Sequence, residues 1–273
     1  MSVPTTLPPG SYVNVSWADY DNDGDADLLL AGQFTQGAAC RIYRNDGAGI
    51  FTDIQAGLAW SEGGAVAWGD YDNDGNLDIL QTGTGSSNGI TQVYHNLGNN
   101  LFSAVNPNLP QLYDSSAAWG DYDNDGQVDI LLAGFGGPPV TSIFRNTSNG
   151  TFSQTAGGRS LGAGSLAWGD IDNDGRLDFI VSGLDPLDSG KYYTKLYRNY
   201  TPVTNSPPNP PATLTALVSS NSVVLLWSPA TDANQTNGFS YNLRVALVQV
   251  PQIFLARCLT LIRVFVGWRN EAS

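Results

Sequence analysis

Four short stretches of the chain carry aspartates at the same spacing. Each reads Asp-x-Asp-x-Asp-Gly-x-x-Asp, and the four loops span residues 19–27, 70–78, 121–129 and 170–178. Alternating Asp at loop positions 1, 3 and 5 can turn three short carboxylates towards one point, and the Asp at position 9 closes the shell. Sixteen carboxylates packed in fours would repel one another strongly without a cation. The spacing therefore predicts four cation sites rather than four ordinary Asx turns.

The donor set of these loops favours calcium. Ca²⁺ takes roughly six to eight oxygen ligands in a flexible shell, whereas Mg²⁺ prefers a tighter octahedron with more water. A glycine at position 6 allows a sharp bend, and position 7 varies freely, as expected if it offers only its backbone carbonyl. The predicted ligands are Asp19, Asp21, Asp23, Asp25, Asp27, Asp70, Asp72, Asp74, Asn76, Asp78, Asp121, Asp123, Asp125, Gln127, Asp129, Asp170, Asp172, Asp174, Arg176 and Asp178. Four Ca²⁺ ions add eight positive charges and would change the net charge from −13 to −5.

Other calcium-binding loops fit less well. An EF-hand needs a bidentate Glu at position 12 and a helix on each side. Position 12 is occupied here by Leu30, Gln81, Leu132 and Val181, each inside an apolar run that reads as a strand. Thrombospondin-type calcium repeats are shorter and contain cysteine, so they also fit poorly. The loops are expected to connect two strands.

The loops belong to a longer repeat. Its units start at Trp17, Trp68, Trp119 and Trp168, at spacings of 51, 51 and 49 residues. Each unit continues with an apolar strand and an apolar-aromatic-basic-Asn run such as residues 143–146. The first three units end on a Phe strand, which the fourth lacks. Four short strands in about 50 residues are typical of a propeller blade.

The repeated string Ala-Trp-Gly-Asp-Tyr-Asp-Asn-Asp-Gly-x-x-Asp-Ile-Leu resembles the FG-GAP/VCBS repeat family, relatives of the integrin α-subunit propeller. The resemblance covers residues 4–201. It implies blades with calcium in the turn between the first two strands, extracellular or cell-surface placement, and a role in adhesion or ligand binding. Propellers of this family usually have seven blades, whereas this chain has four units. The predicted fold is therefore all-β, with four blades of a β-propeller, incomplete within this chain.

A second segment follows the repeats. Residues 201–212 read as a stiff Pro-rich linker. Residues 213–245 resemble the start of a fibronectin type III domain, with Trp227 as a core residue, but too few residues remain to complete that β-sandwich. Residues 246–273 have a different composition and form an anomalous tail, for which we considered a shifted reading frame or a divergent pair of strands. The sequence thus predicts repeats over 1–200 and a truncated sandwich segment after the linker.

Composition and charge exclude several function classes. A net charge of −13 argues against nucleic acid, which calls for a basic face. Residues 246–267 are apolar but contain Pro251, Arg257 and Arg263, so membrane insertion is not expected. No secretory signal is visible in the first 16 residues. The chain has one His and no recognisable nucleophile–base pair, so it is not expected to be an enzyme.

The sequence leaves the partner open. We expect a calcium-stiffened module that binds a carbohydrate or protein ligand through the variable loops 33–39, 84–90, 135–140 and 184–193. The alternatives are a non-catalytic accessory domain of a secreted polysaccharide-active enzyme and a structural spacer of a large surface protein. The repeat tryptophans are predicted to be core, and His95 to be a surface substitution rather than a ligand. The incomplete fourth unit suggests a fragment that self-associates through an unpaired blade edge.

Overall fold

The structure is a computed structural model, and it describes residues 6–86, 89–105, 107–148, 150–202, 209, 212–218, 223–228, 242–248 and 261–267. These residues contain nineteen strands and no helix. They divide into two compact units, residues 1–204 together with 272–273, and residues 205–271. The first unit contains all four acidic loops.

The first unit is a four-bladed β-propeller arrangement. Each blade is one antiparallel sheet whose strands follow in chain order. Blade 1 consists of β1 Gly10–Ala18, β2 Asp27–Phe34, β3 Gly37–Asn45 and β4 Phe51–Asp53, and blade 2 consists of β5 Val66–Gly69, β6 Asp78–Gly83, β7 Ile90–Asn96 and β8 Phe102–Val105. Blade 3 consists of β9 Tyr113–Gly120, β10 Asp129–Phe135, β11 Pro139–Asn146 and β12 Phe152–Gly157. Blade 4 consists of β13 Gly162–Gly169, β14 Asp178–Asp185 and β15 Lys191–Tyr197. Among the described residues blade 4 has three strands. The predicted absence of its last strand concerns residue 205, which lies outside the described residues, and stays a prediction.

Consecutive blades pack face to face through the second strand. In β10, Ile130 and Leu132 pack towards blade 2, whereas Leu131 and Ala133 pack towards blade 4. Successive side chains of a strand point to opposite faces, so a run of apolar residues can serve two neighbours at once. In blades 1 to 3 the second strand is therefore the part of the blade that is buried on both sides.

Tryptophans join each blade to the blade before it. The Trp119 ring stacks on Tyr71, with ring centroids 6.4 Å apart, and Trp68 stacks on Tyr20 at 5.7 Å. A Cβ added to Gly120 would lie 2.6 Å from the ring of Trp168 in the following blade. The glycine after the repeat tryptophan is thus needed where the next blade's ring packs against it.

The two ends of the array differ from its middle. Trp119 is 4% exposed, but Trp17 is 57% exposed, so the prediction that every repeat Trp belongs to the core is wrong for Trp17. The reason is that Trp119 stacks on Tyr71 of the blade before it, whereas no tyrosine among the described residues stacks on Trp17. At the other end, Ile180 and Leu196 of blade 4 are 41% and 55% exposed, whereas their counterparts in blades 1 to 3 are buried between sheets.

The second unit contains two hairpins among its described residues. Strand β16 Leu214–Val218 pairs with β17 Val223–Trp227, and β18 Asn242–Val248 pairs with β19 Leu261–Gly267. Each hairpin forms a separate two-stranded sheet. These hairpins alone do not support the fibronectin type III resemblance. Most of the Pro-rich linker and of the tail lies outside the described residues.

The turns between the second and third strands are shorter than the sequence suggested. Of the predicted variable loop 33–39, only Thr35 and Gln36 lie outside strands β2 and β3. In blade 3 the connection is residues 136–138, and in blade 4 it is residues 186–190. In blades 1 and 3 the predicted variable loops are therefore tight hairpin ends, and their role as a ligand surface stays a prediction.

Candidate metal centres

Each acidic loop connects the first and second strands of its blade, as predicted. Its backbone has positive φ at two positions that are separated by one residue. Position 4 is an asparagine at φ between 57° and 60°, and the position 6 glycine has φ between 80° and 95°. Asparagine tolerates the left-handed region better than most residues, and glycine adopts it without steric cost. The four loops therefore share one backbone path, which the Asn-x-Gly spacing encodes.

The aspartate at position 9 is the buried anchor of each loop. Asp27, Asp78, Asp129 and Asp178 are all fully buried. In blade 3, Asp129 Oδ1 accepts a hydrogen bond from the Asn146 backbone N–H at 2.8 Å, and Oδ2 accepts one from the Tyr122 N–H at 2.9 Å. The other three blades repeat this pair of bonds. One carboxylate thus holds the loop to the end of the third strand.

Burial of this anchor carries an electrostatic cost. Loss of water raises the pKa of Asp129 to about 7 and that of Asp27 to about 6, although the two backbone N–H bonds oppose the rise. Neighbouring loop aspartates push both pKa values further upward. A bound cation would lower these pKa values, because an opposite charge favours the ionised carboxylate. A bound cation would therefore stabilise the ionised form of these buried carboxyl groups.

Positions 1 and 5 shape the loop through its own backbone. Asp121 accepts hydrogen bonds from the N–H groups of Asp125 and Gly126, at 3.1 and 2.9 Å. Asp125 in turn accepts one from the N–H of Gln127 at 3.0 Å. The same three bonds recur in the other loops. These bonds leave carboxylate lone pairs free, since each oxygen can accept more than once.

The structure brings most, but not all, of the predicted ligands together. Carboxylate oxygens of positions 1, 3 and 9 lie within 4.8 Å of one another in blades 1, 3 and 4, and those of positions 1, 3 and 5 do so in blade 2. Position 5 of blades 1, 3 and 4 lies outside these groups. The position 7 side chains are also outside, and that of Arg176 pairs with Asp174. The prediction that position 7 binds through its carbonyl stays a prediction.

One carboxylate oxygen in blade 3 is placed as a metal ligand would be. Asp123 Oδ1 is buried and has no hydrogen-bond partner among the described residues. A buried oxygen without a partner is destabilising unless water or an ion satisfies it. Asp123 belongs to the converging group of its loop, so the residues present fit a bound cation.

A basic residue of the third strand reaches the same carboxylates. Arg145 Nε lies 2.6 Å from Asp123 Oδ2, and Arg198 pairs with Asp172. In blade 2 the basic residue is His95, whose Nδ1 lies 3.2 Å from Asp72 Oδ2 and 3.3 Å from Asp78 Oδ1. His95 is only 24% exposed. Its interpretation as a surface substitution is therefore wrong, since it lies against the acidic loop.

The asparagine that ends the basic run is a positioning residue that the sequence did not single out. Asn146 donates its side-chain N–H groups to the Tyr71 carbonyl of the preceding blade at 2.7 Å and to the Val128 carbonyl of its own loop at 3.2 Å. Asn96 and Asn199 make the equivalent bonds. Its presence in all four units was the available signal. Each of these three asparagines ties two neighbouring loops together.

A polar cavity of about 430 Å³ lies between the first strands of the four blades. Asn14, Ser116 and Ser165 line it, together with Ser115, which is 7% exposed and whose Oγ has no partner among the described residues. The first strands bulge there, and Asp114 and Tyr12 have positive φ. Bulges of this kind re-aim side chains and are common beside binding sites.

The fold and its loops together define a class of protein: a β-propeller arrangement of four repeats, each with an Asp-rich loop able to hold a metal ion. The sequence profile of the FG-GAP-like repeat matches residues 19–81 and 121–181, and these two stretches include all four acidic loops. The chain thus contains FG-GAP-like repeats in two places. A search of curated proteins found no match.

None of the residues that the structure describes forms a helix long and apolar enough to cross a membrane.

Proposed function

We propose that this chain is a calcium-stiffened extracellular module for adhesion or ligand binding. The observation that carries the proposal is a loop backbone repeated four times, each with a fully buried aspartate at position 9. In blades 1, 3 and 4 two further carboxylates converge on that aspartate, and in blade 2 the carboxylates of positions 1, 3 and 5 converge. One Ca²⁺ per loop would satisfy these oxygens, with a backbone carbonyl at position 7 completing the shell. FG-GAP-like repeats are typical of extracellular proteins, where calcium is plentiful, and this supports the placement.

Calcium would act here as a structural ion. Each loop is tied to the third strand of its own blade. In blades 2 to 4, Asn96, Asn146 and Asn199 also tie it to the preceding blade. Stiffening one loop therefore stiffens the contact between two blades. The cavity between the first strands contains Ser115 Oγ, for which the described part of the chain supplies no partner, and it is a candidate place for a polar ligand such as a carbohydrate.

Two measurements test the proposal. Titration of metal-free protein with Ca²⁺ in a calorimeter is expected to show about four sites, one for each loop. Binding to a glycan array, with and without chelator, is expected to require calcium. A chain that binds no calcium would refute the proposal, whereas calcium binding without any glycan or protein ligand would favour the structural spacer.

The proposal assigns no catalysis to the acidic loops, because their carboxylates are used for the ion and the backbone. The competing role, an accessory domain of a polysaccharide-active enzyme, predicts polysaccharide binding without turnover. A hydrolase screen of the purified chain separates an enzyme from both. The fibronectin type III character of residues 213–245 remains part of the proposal.

A further inference from the structure

Blade 2 differs from the other blades at one chemically important position. The basic slot of the third strand holds Arg44, Arg145 and Arg198 in blades 1, 3 and 4, but His95 in blade 2. A guanidinium has donors only and no lone pair for a metal, whereas a ring nitrogen of neutral imidazole is the commonest metal ligand in proteins. A histidine at this position can therefore bind a metal ion, which an arginine cannot.

The geometry around His95 matches a coordination shell. Its Nδ1 lies 3.2 Å from Asp72 Oδ2 and 3.3 Å from Asp78 Oδ1. Ligand atoms of the three residues all lie within 4.8 Å of one another. In a tetrahedral zinc site with ligand distances of roughly 2.0–2.2 Å, neighbouring ligand atoms are about 3.4 Å apart. The two N–O distances are close to this value and are also those of a hydrogen bond, so the nitrogen and the two oxygens lie near enough to share one small divalent ion.

The surroundings hold these ligands in place. Asp78 is fully buried and fixed by the backbone N–H groups of Asn96 and Tyr71. The His95 ring packs edge-on against Tyr71, with centroids 6.1 Å apart. Fixing of ligands by outer-shell bonds is a regular feature of metal sites. One face of the site stays open to water, because Asp72 and His95 are partly exposed.

We propose that the loop of blade 2 is a mixed nitrogen–oxygen site that takes a divalent transition-metal ion such as Zn²⁺, with Asp72, Asp78 and His95 as ligands. Nitrogen donors favour such ions over calcium, which prefers oxygen. Asp72 also belongs to the all-oxygen group with Asp70 and Asp74, so calcium and the transition metal compete for this loop. The inference deepens the proposed function, since it uses one of the same four loops.

The test uses the full, tag-free chain, with Co²⁺ as a coloured substitute for Zn²⁺. Because His95 is the single histidine of the chain, any imidazole ligation must come from it. In calcium-containing buffer, one equivalent of Co²⁺ is expected to bind with a visible ligand-field band, and Zn²⁺ should displace it. Loss of an outer-shell partner already weakens metal binding by about 10–100-fold, so loss of His95 is expected to cost more.

Two matched variants make the result decisive. His95→Arg gives blade 2 the residue of the other blades and should abolish the tight Co²⁺ equivalent while leaving the fold and the other calcium sites intact. Arg145→His places the imidazole in blade 3 and should add a second equivalent. Co²⁺ binding that is absent, or unchanged in His95→Arg, would overturn the inference even if calcium binds at the other loops. Loss of calcium binding with one His95-dependent Co²⁺ would refute the proposed function and leave this inference standing.

Discussion

Aspartates of one loop have different tasks. Asp129 is buried and accepts two backbone N–H bonds, so it is part of the fold with or without an ion. Asp123 carries an oxygen with no partner among the described residues and faces Arg145 at the edge of the loop. We expect Asp129 to matter for both stability and calcium binding, and Asp123 mainly for calcium binding.

A pair of substitutions in blade 3 tests this division. Asp123→Ala is expected to remove one Ca²⁺ from the stoichiometry and to change the stability of the metal-free protein little. Asp129→Ala should remove the same ion and also destabilise the metal-free protein, because two buried N–H groups lose their acceptor at about 1–3 kcal/mol each. Calorimetric titration and urea unfolding in chelator measure the two effects. Asp72→Ala should likewise cost one site. Loss of all four sites in Asp123→Ala or in Asp72→Ala would contradict one ion per loop with coupling limited to neighbouring blades.

At the scale of the element, the unit of stability is a blade together with its contact to the preceding blade. The hydrogen bonds of Asn146 run both to its own loop and to Tyr71 at position 2 of the blade 2 loop. The stacked pair Trp119 and Tyr71 lies beside this connection. These contacts connect the two loops, so we expect an ion bound at one loop to affect binding at its neighbour.

Asn146→Ala tests that connection. It leaves the buried Tyr71 carbonyl without its donor, so we expect a loss of about 1–3 kcal/mol in the free energy of unfolding. We also expect weaker calcium binding at both loops 70–78 and 121–129. The matched control is Asn45→Ala, since Asn45 bonds to the Ala26 carbonyl of its own loop at the first blade of the array. Equal effects of the two substitutions in thermal melts would show that the link between blades is unimportant.

At the scale of the whole molecule, calcium should set the stability of the repeat array. Ligand linkage gives about 2.7 kcal/mol per site when free calcium is a hundredfold above its dissociation constant. Calcium bound at all four sites should therefore raise the melting temperature markedly, and excess chelator should reverse the rise. Differential scanning calorimetry with and without chelator measures it, with Mg²⁺ as the comparison ion. Identical melting curves in all three conditions would remove the structural role of calcium.

The open side of blade 4 predicts self-association. Ile180 and Leu196 are exposed on a three-stranded sheet, whereas the equivalent Leu131 and Ile143 of blade 3 are fully buried. An exposed apolar face beside an unpaired edge invites contact with another chain. We expect the apparent mass from light scattering to rise with concentration, and the double substitution Ile180→Lys with Leu196→Lys to prevent this. Ser103→Lys, on an exposed position of blade 2, is the control. A monomer at every concentration would contradict the prediction.

The sequence by itself determined the features that depend on local spacing. The repeat of about 50 residues, the strand–loop–strand setting of the four acidic loops and the failure of the EF-hand pattern could all be predicted from residue types in order. Local backbone chemistry carries this information, because Asp, Asn and Gly at fixed offsets specify one turn whatever surrounds it.

Only the tertiary structure decided which copies of a repeated residue are alike. Trp17 and Trp119 occupy the same place in the repeat, yet one is exposed and the other buried, because burial depends on whether a blade precedes it. His95 looked like a surface replacement until the fold placed its ring nitrogen against Asp72 and Asp78. The bond from Asn146 to Tyr71 joins residues 75 positions apart. Contacts of this range depend on how sheets pack against each other, which a local pattern of residues does not encode.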